Sequence, residues 1–400
     1  MNYPVLLIAA ALLATAAPSA AQQPAPELER ARRILREAPI FDGHNDLPSR
    51  ILQELDGDPR GVDLSQPQPR FHTDLVRLRN GGVGAQFWSA YVSMDSIPTG
   101  ADLRQALRQV DVVHRLIEAY PEQLVLARSA ADVERAWREG KIASLIGLEG
   151  GHAIQHTLAA VRMFGRLGVR YITLTHNATS SWADAAMDYP RHRGLSEFGE
   201  EVIREMNRAG ILVDLAHVSP ETMHDAIRVS RAPVIFSHSS ARALVDQPRN
   251  VPDDVLRALV PNGGVVMVSF VPEFTAPDAM AYQARHDSAV EALRAELDDG
   301  AEIARRRAEW LRANPPPVAT VTQVADHIDH VRRIAGIDHV GIGSDFDGIE
   351  AVVAGLEDTG AFPNLFAELL RRGYAEADLK QIASGNLLRV LRAAESAARP

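Results

Sequence analysis

Apolar and polar positions along this chain follow two periods. Short runs rich in β-branched and aliphatic residues recur eight times: Ile40 to Asp42, Gly84 to Tyr91, Ile142 to Leu148, Arg170 to Thr175, Ile211 to Leu215, Pro233 to Phe236, Gly264 to Phe270 and His339 to Gly343. Between most of them lie stretches with apolar residues at three- and four-residue steps, such as Glu200 to Ala209, Pro220 to Val229 and Val324 to Ala335. The runs read as buried strands and the longer stretches as amphipathic helices. Strands that alternate with helices imply a parallel sheet. Ser219-Pro220-Glu221 carries a helix start, with Ser as N-cap and Pro at the first helical position, directly after the Ile211 strand. Eight such units in 400 residues predict a (β/α)8 TIM-type barrel in preference to an open doubly wound sheet.

Two segments depart from the repeat. Residues 277–313 hold an Ala, Glu and Arg-rich pattern that ends at Pro315, Pro316 and Pro317, which predicts a helical excursion with a solvated charged face. Asn45 to Phe71, rich in Pro, Asp and Gln, reads as a long loop after the first strand, on the side of a barrel where loops shape substrate pockets. Ahead of the repeat, residues 1–21 form an apolar segment closed by Ser19 and Ala21, the pattern of an export signal, although its leading end has no Lys or Arg. Cleavage there leaves a single domain over 22–400, exported to the periplasm or secreted. No second apolar stretch and no lipidation motif supplies a stable membrane anchor for the mature chain.

Composition narrows the chemistry. Hydrophobic residues make up 46% and charged ones 24%, enough to bury an enzyme-sized core. A net charge of −10 without a basic run argues against nucleic-acid binding. Cysteine is absent, which excludes disulfides, thiolate metal sites and a cysteine nucleophile. Lys141 and Lys380 are the only lysines. Lys141 precedes its strand and Lys380 sits in a helical pattern, so a carboxylated-lysine bridge has no well-placed candidate.

Metal-capable side chains fall at the carboxyl ends of successive predicted strands: His44 and Asp46 in FDGHND, Glu149 in LIGLEGG, His176 in TLTHN, His217 in VDLAH, His238 in IFSH and Asp345 in GIGSDFDG. In a barrel these ends converge on one mouth. His44 and Asp46, two apart, point to one face of an extended chain. Four His and three carboxylates buried together without a common partner would be costly, and a metal supplies that partner. Nitrogen and oxygen ligands without sulfur suit zinc, and their number suits two ions that share a carboxylate, with Glu149 as the bridge. Of the remaining His, His114, His156, His224, His327 and His330 fall in helical patterns, His72, His192 and His286 in connecting stretches, and His339 at the wrong end of its strand. His152, beside Gly151, lies close to Glu149 but reads as no ligand.

The chain resembles the membrane dipeptidase (renal dipeptidase) family of binuclear zinc peptidases. The resemblance runs from about Leu35 to Leu391 on FDGHNDLP, VGAQFWSAYV, GLEGGH, YITLTHN, SHSSAR, RNVPDD and HVGIGSDFDG. It implies one zinc on His44, Asp46 and Glu149 and a second on Glu149, His217 and His238, with a bridging water or hydroxide. It also implies His176 at the reacting carbonyl, Arg249 on the substrate's terminal carboxylate and Asp345 as proton carrier. Ala216 stands where the family has Ser, and residues 272–320 follow no pattern of the family. The expected reaction is hydrolysis of dipeptides with a free C-terminal carboxylate, by attack of the hydroxide that two zinc ions generate. D-residues at the C-terminal side and carbapenem-type β-lactams fall within the family's range, and a homodimer is its usual assembly, which in this chain, without Cys, cannot be disulfide-linked. Two alternatives stand beside this. A binuclear amidohydrolase for cyclic amides or nucleobases normally opens with two His two apart, and here the second position is Asp46. A non-catalytic periplasmic peptide- or metal-binding module has no need of Asp345 and His176.

Overall fold

A computed structural model describes residues 26–398. The export segment predicted at 1–21 lies outside the described residues. Nine parallel strands are present: β1 Ile40–Asn45, β2 Val83–Tyr91, β3 Leu124–Leu126, β4 Ile142–Glu149, β5 Val169–Thr173, β6 Leu212–Asp214, β7 Ile235–Phe236, β8 Val265–Val268 and β9 Val340–Ile342. Eight of them close a barrel in the order β1, β2, β4, β5, β6, β7, β8, β9, through the β2–β4 pairing from Ala85↔Ala143 to Tyr91↔Glu149 and the β1–β9 pairing Asp42↔Ile342. The eight predicted strands are these eight. The ninth, β3, is not among the predicted strands and pairs with the start of β4 at Ile142 to Ser144.

Alternate strand residues fill the barrel: Phe41, Ala85 and Phe87, Ala143 and Leu145, Tyr171, Leu212, Ile235, and Val265 and Met267. Phe41 stacks on Phe87 at 5.4 Å between ring centroids, and Phe87 meets Tyr171 at 4.8 Å. Gly147 must lack a side chain, because a Cβ there would lie 1.9 Å from Cζ of Tyr171. The other strand faces pack against the helical ring in a second, larger apolar cluster.

Local signals behave as their chemistry requires. The helix Pro220–Val229 begins as predicted, with Ser219 Oγ accepting from Thr222 N–H at 3.2 Å. The excursion forms two helices, Pro277–Glu296 and Gly300–Ala313, the second with no buried residue. They are joined by Tyr282 against Trp310 and by Tyr282 Oη donating to the Asn314 carbonyl at 2.9 Å.

Three expectations need correction. The stretch from Asn45 to Phe71 is not all loop, because Leu47–Glu54 is helical, with Pro48 in its first turn and Leu47 and Ile51 buried one turn apart. His286 lies within the first excursion helix rather than in a connection. His156 lies in a turn with φ near +55°, not in a helix.

Candidate metal centre

All seven predicted side chains meet at the carboxyl end of the barrel. His44 and Glu149 belong to β1 and β4, whereas Asp46, His176, His217, His238 and Asp345 lie just past the ends of their strands. Asp46 caps the helix Leu47–Glu54 with φ −99° and ψ 17°, so the expected extended geometry stops one residue early. Its carboxylate still reaches His44, with Oδ2 3.1 Å from Nε2. His217, Asp345 and Asp347 all take left-handed backbone, at φ 70°, 65° and 65°. Such strain in non-glycine residues costs of order 1–3 kcal/mol each and clusters at functional sites. Gly348 permits the last turn, since a Cβ would lie 2.4 Å from Asp46 Oδ2 and 2.6 Å from Asp345 Oδ1.

Glu149 lies at the centre. Its Oε2 is 3.4 Å from His44 Nε2, while Oε1 is 3.0 Å from His217 Nε2 and 3.6 Å from His238 Nε2. Ligand atoms gather in three overlapping groups: His44, Asp46 and Glu149; Glu149, His217 and His238; and His44, His238 and Asp345. The first two are the sets the resemblance implies. The third brings Asp345 within ligating reach. His152, Lys141 and Lys380 belong to none of them. Lys141 Nζ donates to the Pro121 carbonyl and Lys380 pairs with Glu37.

The donor set fits metal ions. His44 is fully buried and its Nε2 has no well-formed hydrogen bond. Nε2 of His217 lies only 3.0 Å from Nε2 of His238. Buried ring nitrogens turned toward one another and toward a carboxylate are costly without a cation between them.

The outward ring nitrogens are each held. His44 Nδ1 meets Tyr171 Oη at 2.8 Å, His217 Nδ1 meets Asn177 Oδ1 at 3.0 Å, and His238 Nδ1 meets Ser237 Oγ at 2.9 Å. Ser237 gives its own proton to Asp214 Oδ2 at 2.6 Å, so its Oγ accepts from His238 Nδ1–H and puts the lone pair of the ring on Nε2. Asp214 also accepts from Thr173 Oγ1 and from the Ser237 and Ala216 amides. Across the barrel, Asp42 accepts from the Ser344 amide and hydroxyl and from Gln86. Tyr171, Asn177, Asp214, Ser237 and Asp42 had no role assigned from sequence. Their one signal was polarity inside or beside otherwise apolar strands.

Charge at the centre is uneven. Burial pushes the Glu149 carboxyl up, but His44, His217 and His176 together outweigh it and hold it well below the usual carboxylate range. Burial, with Asp46 and Glu149 beside it, drives the Asp345 carboxyl well above that range against the pull of His44 and Arg249. Burial also lowers His176, whose ring packs against Tyr91 at 4.9 Å. Arg249 is only 4% exposed and its Nε has no partner, while Nη2 donates to His238 Nε2 at 3.0 Å. Burial brings its guanidinium down to about 10, so it remains cationic at neutral pH. These groups line a cavity of about 760 Å³, together with Ser49, Arg50 and Gln53 of the first helix after β1. Asp347 also lines it, and accepts from the His72 amide at 2.8 Å.

Known proteins resemble this chain in sequence and in fold. The membrane dipeptidase (peptidase family M19) profile matches residues 28–400. The dipeptidase verJ of Clonostachys rogersoniana is 39% identical over 383 residues, which cover 92% of this chain and 87% of that protein. Among solved structures, the probable dipeptidase PvdM of Pseudomonas aeruginosa superposes with a TM-score of 0.82 at 25% identity, covering 94% of this chain and all of the other. A Rhodobacter sphaeroides metallopeptidase, liganded with a phosphinate mimic of the dipeptide L-Ala-D-Ala, shares the fold with a TM-score of 0.71 at 24% identity, over 89% of this chain and 99% of its own. The chain belongs to the membrane dipeptidase family, peptidase family M19, and is a metallo-dipeptidase.

Proposed function

We propose that this enzyme hydrolyses dipeptides with a free C-terminal carboxylate, using two zinc ions, one on His44, Asp46 and Glu149 and the other on Glu149, His217 and His238. The observation that carries this reading is Glu149, whose two oxygens face different ligand sets. Bound there, the zinc ions would acidify a shared water and polarise the scissile carbonyl.

The side chains do the rest. Arg249, buried and with an unpartnered Nε, clamps the terminal carboxylate and limits the substrate to one residue past the scissile bond. His176, at the cavity wall, donates to the carbonyl oxygen as it gains charge. Asp345 takes the proton of the attacking water and returns it to the leaving amine. Recognition through the carboxylate and the carbonyl leaves the configuration at the C-terminal Cα open, so D-residues belong to the proposed range. Carbapenem-type β-lactams present the same two handles and belong to it as well. Export after cleavage near Ala21, a single domain over 22–400 and a homodimer without disulfides complete the proposal. No helix of the described residues is long and apolar enough to cross a membrane.

The test is zinc content measured together with turnover of a dipeptide panel and of the matching dipeptide amides. Two zinc ions per chain, with dipeptides cleaved much faster than their amides, is the expected result. A single ion, or cleavage of cyclic amides instead, would overturn it.

A further inference from the structure

The catalytic cavity continues past Arg249. A second cavity of about 460 Å³ adjoins it and shares Glu273, Gln283 and the turn Gly348–Glu350 with it. Beyond that throat lie Tyr282, His286 and Arg307 of the two excursion helices. The first cavity alone has the size of a site for a drug-sized ligand. The annex is therefore room for more than a dipeptide backbone.

Glu273 stands at the throat, in the short helix Pro272–Thr275. Its neighbour Phe274 places its ring 5.1 Å from the Arg249 guanidinium carbon. Glu273 is half-buried, and its own backbone N–H donates toward its carboxylate. Burial pushes this carboxyl up, Arg249 pulls it down, and Asp287 pushes it up again. A substrate carboxylate on Arg249 neutralises that pull and leaves two anions facing each other in a shielded pocket. Like charges so placed repel strongly.

Among the described residues, the annex offers no cation without a partner to relieve them. Arg307 donates from Nε to His286 Nε2 at 3.0 Å and pairs with Glu350 at 3.4 Å. Asp287, on the wall of the first cavity, adds negative charge and accepts from Gln283 at 2.8 Å. A cation carried by the substrate itself removes the conflict, and the residue whose carboxylate sits on Arg249 is the one beside Glu273.

We propose that Glu273 is a specificity-determining residue that selects dipeptides whose C-terminal residue bears a long cationic side chain, lysine- or arginine-like, extended past the throat into the annex. The proposal rests on the dipeptidase reading, with Arg249 as carboxylate anchor.

The test compares kcat/KM of the zinc-loaded enzyme for Ala-Lys, Ala-norleucine and Lys-Ala, with the C-terminal residue in each configuration. Ala-Lys should exceed Ala-norleucine by about tenfold or more, and in Glu273→Gln that ratio should fall to near one. A ratio within one preparation is blind to loss of folded enzyme. Calorimetric binding of free lysine against free norleucine, the C-terminal products, reads the same preference without turnover. Lysine binding that depends on Glu273, in an enzyme that cleaves no dipeptide, would break the dipeptidase reading and keep the annex. Equal turnover of Ala-Lys and Ala-norleucine, a preference for Lys-Ala, or a ratio unmoved by Glu273→Gln would overturn the proposal and leave the dipeptidase reading intact.

Discussion

Nε2 of His217 lies 3.0 Å from Oε1 of Glu149, and the other oxygen of that carboxylate turns to His44. One side chain thus connects ligand sets contributed by opposite parts of the barrel. Glu149→Gln keeps the shape but replaces one oxygen with an amide that cannot ligate. Zinc content should fall at both positions, from two per chain to below one, by elemental analysis of dialysed protein. Loss of a single ion with the other held at wild-type affinity would show that the carboxylate serves one position only.

Arg249 supplies the second test. Among the described residues its guanidinium makes one hydrogen bond, to His238, and its charge is buried in the cavity wall. Arg249→Ala should reduce kcat/KM for a dipeptide by about 2–5 kcal/mol, the usual cost of removing one partner of a buried charge pair. The matching dipeptide amide, which has no carboxylate to lose, should decline far less. Equal losses on the two substrates would place Arg249 outside the substrate pocket.

The strand ends were readable because a barrel converts position along a strand into position in space. His44, Glu149, His176, His217, His238 and Asp345 needed only their strands to be recognised. β3 was missed because three residues are too short to show a period. The helix Leu47–Glu54 was hidden by the Pro, Asp and Gln that follow it, although Leu47 and Ile51 carry its spacing. Tyr171, Asn177 and the Asp214–Ser237 pair hold the imidazoles through atoms that meet across strands, and no local pattern encodes which hydroxyl faces which ring. Glu273 was beyond reach for the same reason, since its meaning depends on how the helices Pro277–Glu296 and Gly300–Ala313 come together to line the annex beyond it.

Asp345 separates proton transfer from metal binding. Its Oδ1 lies 3.9 Å from His44 Nε2, close enough to join a ligand set and yet outside both sets that contain Glu149. Asp345→Asn preserves shape and removes the exchangeable proton. If Asp345 carries the proton, kcat should fall by about 10²–10⁴, the usual contribution of a general acid–base group, with zinc content unchanged. Zinc lost in step with activity would make Asp345 a ligand instead. Full activity would assign the proton to another group.

His327 predicts how stability depends on pH, away from the metal centre. It sits in the helix Val321–Ala335, nearly fully buried, and ties two parts of the mouth together. Nδ1 accepts from the Ala241 amide at 3.0 Å, three residues past His238, and Nε2 therefore carries the proton toward the Thr275 carbonyl at 3.3 Å, two residues past Glu273. A second proton would cost the Ala241 hydrogen bond and place an unpaired charge in the core. Burial holds the folded pKa down at about 4, against 6.5 for a free imidazole. Above pH 6.5 the ring is neutral in both states and has no effect on pH dependence. Between 6.5 and 4 the unfolded chain binds a proton that the folded one refuses, so stability falls as pH drops through that window, by about 3 kcal/mol at its lower end. His327→Gln cannot titrate. It should be less stable than wild type at pH 7.5 yet lose about 3 kcal/mol less between pH 6.5 and 4, measured by urea unfolding at each pH. The metal-binding imidazoles are common to both proteins and cancel in that difference. Parallel pH profiles for the two proteins would remove His327 as the origin of the acid sensitivity.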